Sequence, residues 1–226
     1  MGGRKLKKEV LRLLRHNDFK KSIVEISGFS ARQVVNSLFS FFYNSDELVK
    51  WHAVTAMGVV VSNLADYDME SARVVMRRLI WNLNDESGGI GWGSPEAMGE
   101  IMARHEGLAK EYHKMLLSYM MPDGNYIEHE ILQRGVLWGV GRLAHSRPHL
   151  VKDFASFLVL YMISKDAMLR GLSAWAAGPL DNKVTESSLK NLAYDNEKIR
   201  FFSDKHFVDC TVGSLAAEAL SENYNI

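Results

Sequence analysis

The feature that most constrains this chain is a helical frame that returns about every forty residues. It is clearest from Lys50 to Gly58, where Ala53 and Ala56 stand five and two positions before Gly58. The frame recurs at Ser94, Ala97 and Gly99, at Val136, Gly139 and Gly141, and at Ser173, Ala176 and Gly178. A weaker copy, Gly213 and Ala216, ends in Glu218. Successive anchors lie 41, 42, 37 and 40 residues apart, the period of stacked helix pairs. Small residues at these positions share one helix face, so a neighbouring helix can approach closely. The glycine allows still closer contact, at a helix-propensity cost of about 1 kcal/mol that packing must offset.

Between the anchors the apolar pattern predicts an outer helix for each inner one. Val34, Val35, Leu38, Phe39, Phe41 and Phe42 form the first outer stripe, and Ser30 with Gln33 predicts a capping box at its start. Further outer helices are expected over Met69–Leu83, Leu108–Met121 and Pro148–Ile163. Inner helices are expected over Asp46–Leu64, Ser94–Arg104, Ile127–Ala144 and Ala167–Gly178, with Ser94 as N-cap and Pro95 and Glu96 in the first turn. Pro122-Asp123-Gly124-Asn125 and Gly178-Pro179 act as breakers.

The ends differ. Residues 1–29 read as a helical cap: Leu6, Val10, Leu11, Leu13 and Leu14 among Lys and Arg, then a helix capped by Asn17 or Asp18 and stopped at Gly28. Residues 30–182 hold the repeats, and 183–226 an atypical segment. There Ile199–Phe202 and His206–Asp209 read as a hairpin around Ser203-Asp204-Lys205, between a short helix near Glu186–Ala193 and a last helix from Thr211. The fifth frame is thus expected to be half a repeat. The fold class is all-α, an α-α superhelix of about four to five helix pairs with a small C-terminal hairpin.

Composition narrows the function classes. With 27 basic and 27 acidic residues the chain has no global attraction for phosphate backbones or anionic membranes, which argues against nucleic acid and membrane as partners. Cys210 is the one cysteine, so no intramolecular disulfide forms and a reducing compartment fits. No stretch approaches about 18 consecutive uncharged apolar residues, and Phe154–Ile163 is too short to span a bilayer, so a soluble, cytoplasmic protein is expected.

Val49-Lys50-x-x-Ala53-x-x-Ala56-Met57-Gly58 and Leu169-Arg170-x-x-Ser173-x-x-Ala176-Ala177-Gly178 resemble the HEAT-like repeat, in the short form named for phycobilisome lyases. Leu132-Gln133 and Ile90-Gly91 depart at the basic position. The resemblance implies an armadillo-like α-solenoid whose inner helices line a concave surface. It leaves function open, because the family spans scaffolds, lyases, hydroxylases and DNA glycosylases.

On the inner helices the tryptophans form a line. Trp51 and Trp92 stand seven before their glycine, Trp138 and Trp175 three before theirs, and positions four apart share a face. Such a row is a good seat for peptide segments or flat rings. The same rings can instead fill gaps left by Ala, Ser and Gly. Glu96, Glu100, Arg134, Arg142 and His145 lie on the same stripe or one turn beyond, either orienting a polar ligand end or pairing on a solvated face. Ser87-Gly88-Gly89-Ile90-Gly91-Trp92-Gly93 lacks the Lys-Ser/Thr of a P-loop, and Asp85, Glu86 and Glu96 would repel phosphate, so it reads as a shaped loop at the groove.

Catalytic and metal sites are not expected, nor is a cofactor. His105-Glu106 and His129-Glu130 are similar to the paired motifs of deoxyhypusine hydroxylase, but they occupy different positions relative to the frame and cannot converge. The expected function is a non-enzymatic scaffold that docks a protein or peptide in the Trp-lined groove, with Trp51, Trp138 and Trp175 as anchors. The alternative is an enzyme or binder acting on a flat heterocycle, like a bilin lyase, or on alkylated DNA, like a HEAT-like glycosylase.

Overall fold

The computed structural model describes residues 2–84, 91–180 and 183–222, and the chain divides into two compact units, Met1–Ala109 and Lys110–Ile226. The first holds α1 (Gly3–Leu14), α2 (Phe19–Ser27), α3 (Ala31–Phe41), α4 (Glu47–Tyr67), α5 (Met69–Asn84) and α6 (Ser94–Arg104). α1 buries Leu6, Val10, Leu13 and Leu14 and keeps its Lys and Arg outside. α2 is capped by Asp18, whose carboxylate accepts from the Lys21 N–H at 3.1 Å. The expected capping box does not form, because the Ser30 side chain makes no cap bond. Its backbone carbonyl takes the N–H groups of Gln33 and Val34 instead.

α4 is the spine of this unit and packs on α2, α3, α5 and α6. Contact on so many sides explains why it is apolar nearly all round, with Ala53, Val54, Ala56, Met57 and Val61 fully buried. Among the described residues it is the one helix long and apolar enough to cross a membrane, and 67% of that stretch is buried as in a core helix. α6 begins after Gly93, whose φ of +76° and whose missing Cβ, which would fall 2.7 Å from the Phe42 ring, both require glycine. The N-cap is therefore Gly93, and Ser94, expected in that role, is the first helical residue.

The division between units falls inside α7 (Glu106–Ser118). The second unit continues with α8 (Glu130–Ala144), α9 (Ala155–Met162), α10 (Ala167–Ala177), α11 (Lys183–Leu192), the strands β1 (Lys198–Ser203) and β2 (His206–Thr211), and α12 (Val212–Glu222). The helix expected from Pro148 starts later: Pro148–Leu150 and Lys152–Phe154 are 3-10 turns. α10 packs between α8 and α12, while α9 and α11 pack on each other behind them. α11 and α12 thus make a full helix pair, and the hairpin is an insertion within it. The fifth frame is a whole repeat and not the expected half. Gly213 allows it, because a Cβ there would meet the carbonyls of Ala193 and Asp195 at 2.8 Å.

β1 and β2 pair antiparallel from Lys198↔Thr211 to Ser203↔His206, as the sequence suggested. Asp204 and Lys205 close the turn with φ of 48° and 71°, the left-handed pair whose twist suits a two-residue hairpin. The frame itself is a packing device. Ala53, Ala56, Ser94, Ala97, Ser173 and Ala176 are all fully buried, and a Cβ on Gly58 would fall 2.4 Å from Glu100 Cγ on the next inner helix.

Candidate functional site

In the first unit, α4 and α6 bring Lys50, Trp51, Glu96 and Glu100 together. The Lys50 ammonium lies 3.2 Å from Glu96 Oε1 and 5.4 Å above the half-buried Trp51 ring. Glu100 accepts from Arg104 Nε at 2.7 Å and packs over the bare Cα of Gly58. Both carboxylates are buried, which rules out a solvated pair on an exposed face. Glu96 is 4% exposed, and its Oε2, like Ser94 Oγ, has no hydrogen-bond partner. Trp92 lies in the turn before α6, partly exposed, with its ring 6.4 Å from that of exposed Tyr43. Of the Gly-rich stretch, residues 85–90 lie outside the described residues.

His52 points the other way. Its ring stacks on Phe19 at 3.6 Å, and Nδ1 is 2.7 Å from the Leu14 carbonyl, so it belongs to the packing of the cap. Burial lowers its pKa, only partly countered by that hydrogen bond, and the ring is held neutral.

In the second unit the expected tryptophans sit beneath the hairpin. Trp138 is 4% exposed and donates its indole N–H to the Phe202 carbonyl at 2.6 Å. Its ring lies 6.3 Å from Trp175, which meets Phe201 at 5.4 Å and stacks on His145 at 4.8 Å. His145 Nε2 is 3.0 Å from the Trp175 carbonyl. Gly141 makes room, since a Cβ there would fall 2.4 Å from the Trp175 ring. Arg134 donates to Asp166 at 2.7 Å, and Asp166 also caps α10 by accepting from the Met168 N–H. Arg142 is half-buried near the end of α8.

Of the two readings of the tryptophan line, an open row or rings that fill gaps in the packing, Trp138 takes the second, since the chain's own strand covers it. Arg134, 42% exposed, takes the pairing reading, with its partner Asp166 serving as the cap of α10. Sequence reasoning missed Lys50 as a site residue, although it is the basic position of the frame and precedes Trp51. It also missed Phe201 and Phe202, whose strand was legible but whose docking surface was not. The fifth tryptophan, Trp81, is 62% exposed on α5, away from the inner helices.

Among the described residues no group of three or more His, Cys, Asp or Glu side chains is placed to hold a metal ion. His105 Nδ1 accepts from the Leu108 N–H at 3.1 Å, which makes it a cap of α7.

The stacked helix pairs can be set beside known structures. An engineered protein superposes with a TM-score of 0.56 at 15% identity, covering 99% of this chain and 97% of that one. A designed armadillo repeat protein aligns with a TM-score of 0.53 at 14% identity over 96% of this chain and 99% of that one. The chain has the armadillo/HEAT-like helical-repeat fold. A second designed armadillo repeat protein, in complex with the peptide (KR)4, aligns with a TM-score of 0.54 at 15% identity over 96% and 99% of the two chains. No protein-family model matches the sequence. Over 113 residues it is 30% identical to an uncharacterised protein of Archaeoglobus fulgidus, covering 48% of this chain and 53% of that protein. The chain thus spans about half the length of the curated relative it matches.

Proposed function

We propose that this protein is a non-enzymatic binding module that docks an extended segment of another protein on the inner-helix face of the first unit, with Trp51 as the anchor. One observation carries this reading. In the second unit the equivalent face already holds an extended segment, the chain's own β1, with the Trp138 indole on a backbone carbonyl and Trp175 against Phe201. Inner-helix tryptophans of this chain therefore suit a strand, by one directional bond to its backbone and broad contact with its side chains.

The first unit offers similar chemistry with more surface open. Trp51 is half-buried, Trp92 and Tyr43 are exposed, and among the described residues both strands belong to the second unit. A designed armadillo repeat protein with this fold is known in complex with a peptide, which is consistent with peptide binding as a use of the fold. Trp138 and Trp175 act as the seat of the hairpin, and Trp51 is the anchor for a partner.

The test is a peptide array probed with the parent, Trp51→Ala and Trp81→Ala proteins. Binding that disappears in the first variant and persists in the second supports the proposal. Binding that survives in Trp51→Ala removes Trp51 as the anchor, and an array that captures nothing removes peptide docking.

A further inference from the structure

Among the described residues β1 and β2 form a sheet of their own, and its two edges differ. β1 lies on α10 and buries Ile199, Phe201 and Phe202, whereas no residue of β2 is buried. In an antiparallel pair, residues whose backbone groups face the other strand alternate with residues whose groups point away. The Val212 N–H donates to the Glu197 carbonyl at 3.0 Å, and with the register from Lys198↔Thr211 to Ser203↔His206 this fixes the alternation. Cys210, Val208 and His206 face β1, while Thr211, Asp209 and Phe207 point outward. The Phe202 carbonyl, outward on β1 by the same count, is the one that takes the Trp138 indole.

The outward groups of Thr211 are already used. Its N–H donates to Ser214 Oγ at 3.2 Å, and its carbonyl accepts from that hydroxyl at 2.7 Å. The outward N–H and C=O groups of Phe207 and Asp209 have no partner among the described residues. Two donors and two acceptors thus stand in a row on an exposed strand, a template for another strand.

Their spacing decides which strand fits, because the four groups are centred on Val208. A second β2 laid antiparallel about a two-fold axis at Val208 sets each Phe207 opposite an Asp209 of the other copy. Four hydrogen bonds then use every one of these groups in both copies, with none left over. Charge agrees with this register. The Arg200 guanidinium lies 4.4 Å over the Phe207 ring and 3.9 Å from Asp209. In the pair, the Asp209 that comes beside each Phe207 also comes beside that Arg200, and the two Asp209 residues are diagonal rather than face to face.

We propose that the β2 edge is a self-association surface, where two copies pair Phe207–Asp209 about Val208 and join their hairpins into one antiparallel sheet. A contact this small belongs to the weak, transient class, so the dimer forms and parts with concentration. The surface lies on the second unit and is independent of peptide docking on the first.

The experiment is sedimentation of the parent, Asp209→Arg and Arg200→Asp/Asp209→Arg proteins from about 5 µM to about 500 µM, each checked for folding by circular dichroism. The parent is expected to shift from monomer to dimer over that range. Asp209→Arg should weaken the dimer about tenfold, and the swapped pair should restore it. The register has its own readout. Val208 meets Val208 of the second copy at a non-hydrogen-bonded position, with Cα atoms about 4.5 Å apart, within reach of a disulfide. Val208→Cys in a Cys210→Ser background should therefore cross-link with oxidised glutathione, while the parent, with Cys210 alone, and Asp209→Cys/Cys210→Ser should not. A parent that stays monomeric throughout overturns the proposal, as does a dimer unaffected by Asp209→Arg or a cross-link that forms equally at all three thiols. Slow hydrogen exchange of the Phe207 and Asp209 amides in a monomeric parent would show an edge closed by the chain itself and would overturn it equally.

Discussion

Trp138 donates its indole N–H to the Phe202 carbonyl at 2.6 Å, a bond that ties the inner helix α8 to the inserted hairpin 64 residues later. Both partners are buried, so water cannot replace either. Trp138→Phe keeps an aromatic ring but leaves the carbonyl unsatisfied and a gap beside it. The expected loss is about 1–3 kcal/mol. Urea unfolding measures it, and an unchanged midpoint would mean that other contacts, such as Phe201 on Trp175, suffice to hold the hairpin.

Two frame glycines should respond differently to alanine. At each, alanine returns about 1 kcal/mol of helix propensity. At Gly141 the new methyl would fall 2.4 Å from the rigid Trp175 ring, and at Gly58 the same distance from Glu100 Cγ, part of a side chain that can rotate. Gly141→Ala is therefore expected to destabilise by about 1–3 kcal/mol from overpacking, and Gly58→Ala by less. Gly58→Leu exceeds what Glu100 can yield and should lower the melting temperature more than either alanine. The reverse ranking in thermal melts would break the proposed contact between α4 and α6.

The repeat was legible because packing leaves a local mark. Ala53, Ala56 and Gly58 must be small wherever a neighbouring helix crosses, and that need is written at a fixed spacing. The hairpin was legible for a similar reason, since strand alternation and turn residues are local. What lay on the tryptophans was not. Nothing near Trp138 in sequence marks Phe202 as its partner, and nothing near Glu96 marks Lys50, 46 residues earlier, as the cation that buries with it. The Ser94 cap failed because Gly93 takes the left-handed conformation there and frees the serine from that role.

The hairpin turn carries removable strain. Lys205 has φ of 71° with an exposed side chain, a conformation that costs an L-residue about 1–2 kcal/mol. Glycine adopts it freely but loses more entropy on folding, about 0.5–1 kcal/mol. Lys205→Gly is therefore expected to stabilise the second unit by a net amount of about 0.5–1 kcal/mol, read as a higher melting temperature. A lower one would show that the turn tolerates Lys205 without strain.

His52 should make stability depend on pH. Its buried ring stacks on Phe19, and because the Leu14 carbonyl can only accept, Nδ1 carries the hydrogen and the ring is neutral. Burial moves the folded pKa below the ordinary value of 6.5, and the carbonyl bond recovers only part of that shift. Between the folded pKa and 6.5 the unfolded chain binds more protons than the folded one, so protonation favours unfolding there. Stability contributed by neutral His52 is complete above 6.5 and is lost as pH falls toward the folded value. Urea midpoints taken from about pH 7.5 to about pH 5.5 should decline in the parent and decline less in His52→Gln, which has no proton to gain. The variant is expected to be less stable than the parent at the upper end, since it gives up the ring stacking on Phe19. Parallel slopes in the two proteins would mean that the His52 pKa is the same in the folded and unfolded chain and would place the titrating group elsewhere.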